Sequence, residues 1–375
     1  MKRDFDIIII GGGLAGLSAA IHLSKNSFRV LLIEKNTYPK HKVCGEYISN
    51  EVLPYLNYLG FNPFKYGATA ITKFELTTHH NKKISAKLPL GGFGISRYEM
   101  DYQLYQLALK NDVTVEHEQV TEVRFKDDQF KVQTQSESIF EAKIVIGAYG
   151  KRSGLDQTLN RKFIKKRSPY LAVKFHASGK FNPQKVALHN FNGGYCGVSK
   201  VENNHINLCY ISTYKAFKTY KNIADFQEHI LFKNKALKQL FTESEMVFKK
   251  PLTISQISFE TKTTVENHML MIGDSAGMIH PLCGNGMAMA FRSAQLASEH
   301  IIDYLQAKIA TRSQLEQYYS KSWKRTFNLR LKAGHSIAYL FRQDWLAPKL
   351  LTVLRRLPFL IPLIIKMTHG RPMKV

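Results

Sequence analysis

The fold of this chain follows from residues 6–16, Asp6-Ile7-Ile8-Ile9-Ile10-Gly11-Gly12-Gly13-Leu14-Ala15-Gly16. In this stretch a short apolar run passes directly into a glycine-rich turn. A helical pattern follows the turn, and a second apolar run, residues 29–33, ends in Glu34. Strand, glycine turn, helix and strand, with an acid about twenty residues beyond the glycines, form the pattern of a dinucleotide-binding βαβ unit. The sequence therefore predicts that this unit binds a dinucleotide.

Each glycine of this turn has a predicted physical role. Gly11 makes the tight turn, Gly13 lets the backbone approach a pyrophosphate, and Gly16 lets the helix pack closely on the strand. The first-turn amides and the helix dipole face the phosphates, while the Glu34 carboxylate accepts hydrogen bonds from ribose hydroxyls. The predicted nucleotide-contacting residues of this unit are Gly11, Gly13, Leu14, Ala15, Gly16, Glu34 and Lys35.

The composition is that of a globular protein with an unusual charge. The chain has 375 residues, 44% of them hydrophobic and 22% charged, which suits two domains or one large one. Its formal net charge of +24 suggests an anionic partner, either a nucleic acid or an anionic membrane surface. A merely solvated basic surface is the alternative explanation.

The cysteines, the N-terminal residues and the apolar stretch near the C-terminus indicate in which compartment the protein works. None of the four cysteines has the CxxC spacing or the neighbouring histidines of a zinc site, so we expect reduced thiols and no metal. The first strand follows the N-terminus directly, which leaves no room for a signal peptide. The apolar stretch 350–365 is interrupted by Arg355-Arg356 and two prolines, so it is too short to span a bilayer. We expect a cytoplasmic protein.

The pattern of elements predicts an α/β fold with an insertion. Between about 165 and 265 the pattern changes to alternating strands, which indicates a mostly antiparallel sheet inserted into a parallel one. The predicted nucleotide domain comprises 1–70, 95–165 and 265–305. The predicted substrate domain comprises 71–94 and 166–264, and residues 306–375 form a C-terminal helical, basic amphipathic region.

Three separated segments together resemble the FAD-dependent oxidoreductases that include para-hydroxybenzoate hydroxylase, the ubiquinone-pathway hydroxylases, flavin halogenases and geranylgeranyl reductases. They are the Gly11–Glu34 unit, Gly147-Ala148-Tyr149-Gly150, and Gly273-Asp274 followed by Pro281 and Gly284-Asn285-Gly286. The resemblance covers about residues 4–300 and implies a Rossmann-like FAD-binding (GR2-type) domain. The Lys42-x-Cys44-Gly45-Glu46 loop resembles the geranylgeranyl reductase branch most.

The resemblance also implies roles for single residues. Asp274 would bond the ribityl hydroxyls of FAD, although an ordinary turn aspartate is the alternative. Asn285-Gly286-Met287 would place a helix N-terminus beside the flavin ring, where its dipole stabilises the negative charge of the reduced ring; Asn285 is equally a good helix cap. Pro281 would shape the wall beside the ring. Arg97, steadied by Asp101, would reach the diphosphate or ribityl region, unless the two form an exposed surface pair.

The loop after the βαβ unit supplies the remaining catalytic candidates. The resemblance implies an active-site role for Cys44, whose pKa Lys42 and His41 would lower; a small buried hydrophobe is the alternative. Glu46 either pairs with a basic neighbour or faces the ring. Tyr149 stands where the hydroxylases usually have an aspartate that contacts both FAD and NADPH, which weakens any inference about the nicotinamide donor.

Three functions remain open at the level of sequence. The first is an FAD-dependent monooxygenase that takes electrons from NADPH or NADH and hydroxylates a lipophilic aromatic, polyketide or quinone-like substrate. The alternative is a geranylgeranyl-reductase-like enzyme that saturates double bonds of an isoprenoid chain, and the third is a non-catalytic flavin-binding protein. Neither the resemblance nor the composition determines the oligomeric state.

The C-terminal tail favours a lipid partner. Residues 324–375 hold eleven Lys or Arg, interleaved with aromatic and aliphatic residues, and a single acid, Asp344. This pattern is typical of a helix at an anionic membrane interface, although a helix that covers the substrate domain has the same pattern. No nucleic-acid-binding module accompanies the charge, so we expect no nucleic acid partner.

Overall fold

A computed structural model describes residues 3–78, 80–166, 168–220, 222–255, 257–342 and 347–375. The strands are β1 (Arg3–Ile10), β2 (Val30–Ile33), β3 (Tyr47–Ser49), β4 (Thr69–Thr77), β5 (Lys83–Gly94), β6 (Thr114–Glu116), β7 (Val120–Lys126), β8 (Gln129–Thr134), β9 (Ile139–Gly147), β10 (Tyr170–Ser178), β11 (Lys185–Phe191), β12 (Gly194–Lys200), β13 (Ile206–Thr213), β14 (Glu245–Met246), β15 (Leu252–Ser255), β16 (Val265–Glu266) and β17 (Met269–Met271). The helices are α1 (Leu14–Ser24), α2 (Leu53–Leu59), α3 (Arg97–Lys110), α4 (Leu155–Thr158), α5 (Tyr214–Lys218), α6 (Ile223–His229), α7 (Lys235–Glu243), α8 (Gly286–Leu305), α9 (Arg312–Arg342), α10 (Ala347–Arg356) and α11 (Leu360–Thr368).

The first sheet is built on β1, whose four isoleucines are almost entirely buried. Its order is β16-β17-β9-β1-β2-β6, and β8 and β7 extend it from β9. Strand β1 is parallel to both β2 and β9. A strand that is covered on both faces needs a continuous apolar run rather than alternation, which is what Ile7–Ile10 supplies. The predicted Rossmann-like parallel sheet is confirmed.

The second sheet has the order β14-β10-β13-β12-β11-β4-β5-β3, with β15 paired to β10. Most of its pairs are antiparallel, and β11 with β4 is a parallel pair. The predicted α/β fold with an inserted, mostly antiparallel sheet is therefore confirmed. Strand β3 lies within the predicted 1–70 nucleotide segment, yet it pairs with β5 in the second sheet. The loop before β3 also contacts β10 of this second sheet, as described below.

The C-terminal helices link the two sheets. On α9, Trp323 and Phe327 are buried in the core of the nucleotide-binding layer. Leu354 of α10 and Ile361 of α11 pack instead on Leu76 and Ile84 of the second sheet. Packing on the substrate domain therefore accounts for one face of the tail, while Asp344 lies outside the described residues. Across the described parts of the chain, no helix is both long and apolar enough to cross a membrane.

Candidate functional site

A cavity of about 800 Å³ runs between the two sheets and the C-terminal helices. Most of the residues that the sequence analysis assigns to the site line this one cavity. They are Gly11, Gly13, Leu14, Ala15, Glu34, Lys35, Cys44, Glu46, Arg97, Gly273, Asp274, Pro281, Gly284, Gly286 and Met287. Gly16 and Asn285 are not in its lining. Segments as distant in sequence as Gly11 and Met287 thus meet because the carboxyl ends of β1, β2 and β17 share one edge of the sheet.

The nucleotide end of the cavity is the glycine turn after β1. A Cβ on Gly16 would lie 1.9 Å from the Gly11 carbonyl oxygen, so only glycine lets α1 pack this close to the strand. A Cβ on Gly13 would meet only Arg97 Nη2, at 3.8 Å, so space is open on that side. Helix α1 begins at Leu14 without a side-chain cap. Uncapped amides at a helix N-terminus bind phosphate well.

Glu34 is held at the end of β2 with part of its carboxylate available. Oε2 accepts from the Gly12 amide at 2.7 Å, and Oε1 accepts from the amide and side chain of Asn36 at 3.0 and 2.6 Å. A carboxylate has about four lone-pair sites, so one remains for a ribose hydroxyl. The turn has a further support that sequence reasoning missed. The Tyr38 hydroxyl donates to the Gly12 carbonyl at 2.6 Å, and its ring stacks on Tyr105.

Two cations share one buried carboxylate beside this turn. Arg97 donates to both oxygens of Asp101, at 2.6 and 2.7 Å, and Lys42 Nζ lies 2.8 Å from Asp101 Oδ2. Asp101 is 1% exposed and Arg97 14%, so this is not an exposed surface pair. Burial alone would raise the pKa of Asp101, but Arg97 and Lys42 outweigh it and hold that pKa below its ordinary value. This cluster has a net positive charge and lies next to the glycine turn after β1, Gly11–Gly13, which is called the nucleotide cradle below.

A second uncapped helix end, at α8, faces the same cavity. Asn285 occupies the N-cap position of α8, but its side chain makes no capping hydrogen bond, so the predicted side-chain cap is wrong. Its amide instead donates to the Thr368 carbonyl at 2.8 Å, because the end of α11 lies within reach. A Cβ on Gly286 would meet no atom within 4 Å, so the approach to the α8 amides is open.

Asp274 follows β17 at the edge of the cavity. Within the described ranges, its carboxylate makes no hydrogen bond or ion pair, and its carbonyl accepts from Lys262 Nζ at 2.7 Å. Burial lowers the pKa of Lys262 to about 8. A glycine cradle, two uncapped helix ends and an unpaired carboxylate suit a diphosphate, a flat ring and ribityl hydroxyls. These residues therefore fit FAD.

Glu46 is fully buried and pairs with basic neighbours, the first of its two predicted alternatives. Its carboxylate contacts Lys174 Nζ and His176 Nε2, the latter at 2.7 Å, and accepts from the Arg97 amide at 2.7 Å. Burial alone would raise the pKa of Glu46, but Lys174 and His176 hold it below its ordinary value. Both partners lie on β10. Sequence reasoning missed both, because nothing local links β10 to a loop 128 residues earlier.

Cys44 packs against the start of α8. Its Sγ lies 3.5 Å from Met287 Sδ. The predicted activating cations are engaged elsewhere, since Lys42 is bound to Asp101 and His41 stacks on Tyr98. Burial lowers the pKa of His41 to about 4, so this ring is neutral at pH 7. Neither side chain offers Cys44 a free positive charge.

Beyond these polar groups the cavity is an apolar chamber. Its walls come from the second sheet and the C-terminal helices, and include Phe74, Leu76, Ile84, Val186, Leu188, Leu354, Ile361 and Ile365. Tyr195 on β12 also lines it, and packs with Met278 and Leu282 beside Pro281. The Tyr195 hydroxyl is buried, and no described residue accepts a hydrogen bond from it or donates one to it. Burial raises the pKa of this phenol, which keeps it a hydrogen-bond donor.

Comparisons with known proteins agree with this geometry. A family model described as "FAD binding domain" matches residues 4–326. The digeranylgeranylglycerophospholipid reductase 1 of Methanosphaera stadtmanae is 25% identical over 90% of this chain and 86% of its own length. An uncharacterized protein of Methanosarcina barkeri is 26% identical over 89% of this chain and 84% of its own. The solved structure of the flavin-dependent brominase Bmp2 superposes with a TM-score of 0.81 at 18% identity, and covers 98% of this chain and 93% of that one.

Proposed function

This chain belongs to the FAD binding domain family, and from that premise we propose that it is an NAD(P)H-dependent hydroxylase of a ring that carries a long apolar chain. Membership makes it an FAD-dependent oxidoreductase. The brominase and the reductase that it resembles are named for different reactions, so the shared fold does not choose between chemistries. The choice depends on the cavity.

The proposal rests on the continuity of the cavity from the nucleotide cradle into the apolar chamber. The same space is lined by Gly13 and Glu34 at one end and by Leu76, Val186 and Ile361 at the other. Ligand sites bury most of a ligand's surface against apolar walls, with few polar groups to orient it. A chamber with these walls favours an aliphatic chain, bound with its reactive end toward the nucleotide side.

Tyr195 favours an oxygen-bearing head group on that chain. A buried hydroxyl that finds no partner costs about 1–3 kcal/mol, so a ligand that pairs with it is preferred. The hydroxyl has less than 1 Å² of accessible surface, so the ring would have to turn it toward the chamber when a ligand binds. A phenol or quinone oxygen would then accept this hydrogen bond, whereas a hydrocarbon would leave it unmade. A chain-bearing phenolic or quinone-like ring satisfies both parts of the cavity.

The chain's residues then have distinct tasks. Arg97 and the α1 amides would hold the diphosphate, Asp274 the ribityl hydroxyls, and the α8 N-terminus the polar edge of the ring. When bound, FAD would supply electron transfer and oxygen activation. Overall, one O₂, two electrons and one proton from NADPH or NADH, and one proton from solvent convert a C–H bond of the substrate into C–OH and give one water. The apolar walls exclude bulk water from the reacting end.

A second candidate is the reduction of isoprenoid double bonds. Its support is the likeness to a digeranylgeranylglycerophospholipid reductase over 90% of the chain, together with the Cys44-Gly45-Glu46 loop. In this reaction two electrons and two protons would add across a carbon–carbon double bond, without oxygen. The apolar chamber suits a prenyl chain as well as an alkyl chain.

Turnover with and without oxygen tests the proposal. The FAD-loaded protein would receive NADPH or NADH with either an alkylated resorcinol or a geranylgeranyl lipid. We expect the resorcinol to gain one atom of ¹⁸O from ¹⁸O₂ and nothing to form anaerobically. Saturated prenyl product without oxygen would replace the hydroxylase by the reductase. No product and no substrate-stimulated NAD(P)H consumption would leave the non-catalytic flavin-binding alternative.

Tyr195→Phe tests the head-group argument, with Tyr214→Phe as the matched control because Tyr214 is exposed and is not in the cavity lining. We expect Tyr195→Phe to raise KM for the resorcinol about tenfold, as loss of one hydrogen bond implies, and to leave flavin absorbance unchanged. An unchanged KM would exclude Tyr195 from substrate binding.

A further inference from the structure

Helix α11 is apolar on two opposite faces. Ile361, Ile365 and the partly buried Ile364 pack on the second sheet or line the cavity. Phe359, just before the helix, and Leu363 and Met367 within it are 63%, 52% and 50% exposed. Their spacing of four residues places them on one outward face. A helix that is apolar on two opposite faces is normally buried on both, whereas this outward face is exposed.

The surroundings of this outward face are basic. Arg355, Arg356 and Lys366 are exposed on or next to it. The sequence from 345 to 375 contains no Asp or Glu, while Lys or Arg occupies six positions of 347–375. A helix with apolar side chains flanked by cations matches the interface of an anionic bilayer. The acyl region takes up the apolar side chains, and the anionic head groups attract the cations. A second copy of the same face would instead bring like charges together.

Met367 joins the outward face to the cavity. It is half exposed, and it also lines the cavity that holds the chamber and the nucleotide cradle. The following residue, Thr368, accepts the hydrogen bond from Asn285 at the start of α8. The end of α11 is thus both part of the cavity lining and a neighbour of the predicted ring site.

We propose that Phe359, Leu363 and Met367 dock on an anionic lipid bilayer, and that a chain-bearing substrate enters the cavity from the bilayer past Met367. The docking stands on the exposed face and its charge, whereas the entry route rests on the proposed function. Docking at this place shortens the path of an insoluble chain, because Met367 belongs both to the docked face and to the cavity lining.

Flotation tests the docking. The FAD-loaded full chain would be mixed with phosphatidylcholine vesicles that contain or lack phosphatidylglycerol. We expect flotation with phosphatidylglycerol only, and at least a tenfold loss in Phe359→Ser/Leu363→Ser. The control Ile139→Ser/Tyr214→Ser removes two comparably exposed apolar residues elsewhere and should float like wild type. Arg355→Gln/Arg356→Gln should weaken flotation and make it less sensitive to salt.

Either of two results would overturn the docking. One is a correctly folded, flavin-bound wild type that stays out of the floated fraction. The other is a concentration-dependent dimer that Phe359→Ser/Leu363→Ser abolishes, since that would make a second copy the cover of this face. Flavin absorbance and a thermal melt of each variant show that it is folded, so a loss of flotation cannot be assigned to unfolding.

Delivery of substrate tests the entry route. With substrate in the vesicles, Phe359→Ser/Leu363→Ser should raise KM at least tenfold, while KM for detergent-dispersed substrate stays within twofold of wild type. Equal KM values for both deliveries would overturn the route. If wild type floats but turns over neither delivered substrate, the proposed function fails and the docking stands. If it turns over vesicle substrate without floating, the docking fails and the function stands.

Discussion

At the nucleotide cradle, a single carboxylate organises two cations that point toward the same open space. Asp101 is bound by both Arg97 and Lys42, so either cation can be removed without leaving the carboxylate unpaired. Because Asp101 keeps one partner, removing one cation should change the charge of the cluster more than the stability of the fold. Arg97 is therefore a residue whose removal should affect ligand binding more than folding.

Arg97→Met is predicted to weaken FAD binding. The methionine keeps an aliphatic stem but loses the guanidinium next to Gly13, and a hydrogen bond to a charged group is worth about 1.5–3 kcal/mol. The Kd for FAD should therefore rise about ten- to a hundredfold. Flavin fluorescence titration of the apoprotein measures it, with Lys40→Met as an exposed control. A Kd within twofold of wild type would remove Arg97 from the cofactor site.

Cys44→Ala is predicted to keep most of the activity. The thiol lies on Met287, and its two predicted activators are engaged or neutral. Loss of packing alone should change kcat by less than about tenfold, whereas loss of a group that acts in the transition state costs about a hundredfold or more. Cys196→Ala, at a buried site outside the cavity, is the control. A hundredfold loss in Cys44→Ala alone would restore the catalytic hypothesis.

The site residues that the sequence revealed are those whose role is local. The glycines and Glu34 are constrained by a turn and by the end of a neighbouring strand, and such constraints appear at fixed spacing. Lys174, His176 and Tyr195 left no comparable pattern. Each belongs to an inserted strand, and each reaches the site only because both sheets border one cavity and the loop of residues 35–46 lies against β10. Their spacing along the chain carries no information about that packing.

At the scale of elements, the loop of residues 35–46 is fixed to β10 by a buried ion pair. Glu46 contacts Lys174 and His176, and removing one member of a buried pair costs about 3–5 kcal/mol because the other charge stays buried. Lys174→Met should lower the free energy of unfolding by at most that amount, because His176 and the Arg97 amide still bind Glu46. The double variant Glu46→Gln/Lys174→Met should lose less than the sum of its single variants, by about 1–3 kcal/mol.

Urea unfolding at several pH values measures this coupling. The folded pKa of Glu46 lies below its ordinary value of 4.5, so the stabilisation is complete above the ordinary pKa and is lost as pH falls through the folded one. The coupling should thus be constant from pH 7 to about 5.5 and shrink in stronger acid. The exposed pair of Lys166 and Glu260 provides the control, and Lys166→Met should cost less than about 1 kcal/mol. Strictly additive losses would contradict the pairing.

The C-terminal helices show where sequence patterns stop being decisive at this scale. Apolar residues recur on α11 at spacings that fit both a packed face and an interfacial face. The two predicted explanations of the tail, core packing and membrane contact, are therefore not exclusive. Packing on the second sheet accounts for Ile361 and Ile365, and it leaves Phe359 and Leu363 uncovered. Periodicity identifies faces, but only the packed structure says which faces are occupied.

Across the whole molecule, each layer holds a histidine that burial keeps neutral. His22 lies on α1 over the first sheet, His189 on β11 in the second sheet, and His369 after α11. Desolvation lowers the pKa of each to about 4, from an ordinary value of 6.5. His22 and His189 have almost no accessible surface and His369 is half-buried in the cavity lining, so the folded protein disfavours the charged form of each ring.

Stability is therefore predicted to fall as pH drops from about 6.5 toward 4. In that window the unfolded chain binds protons at these three histidines and the folded chain does not, so protonation favours unfolding. Urea midpoints between pH 7.5 and 4.5 measure the decline. NMR of ¹³C-labelled histidines identifies its source, since the resonances of His22, His189 and His369 should barely shift between pH 7.5 and 5. If all the histidines of the folded protein titrated above pH 6, acid instability would have another cause, and the buried, neutral state of these three side chains would be wrong.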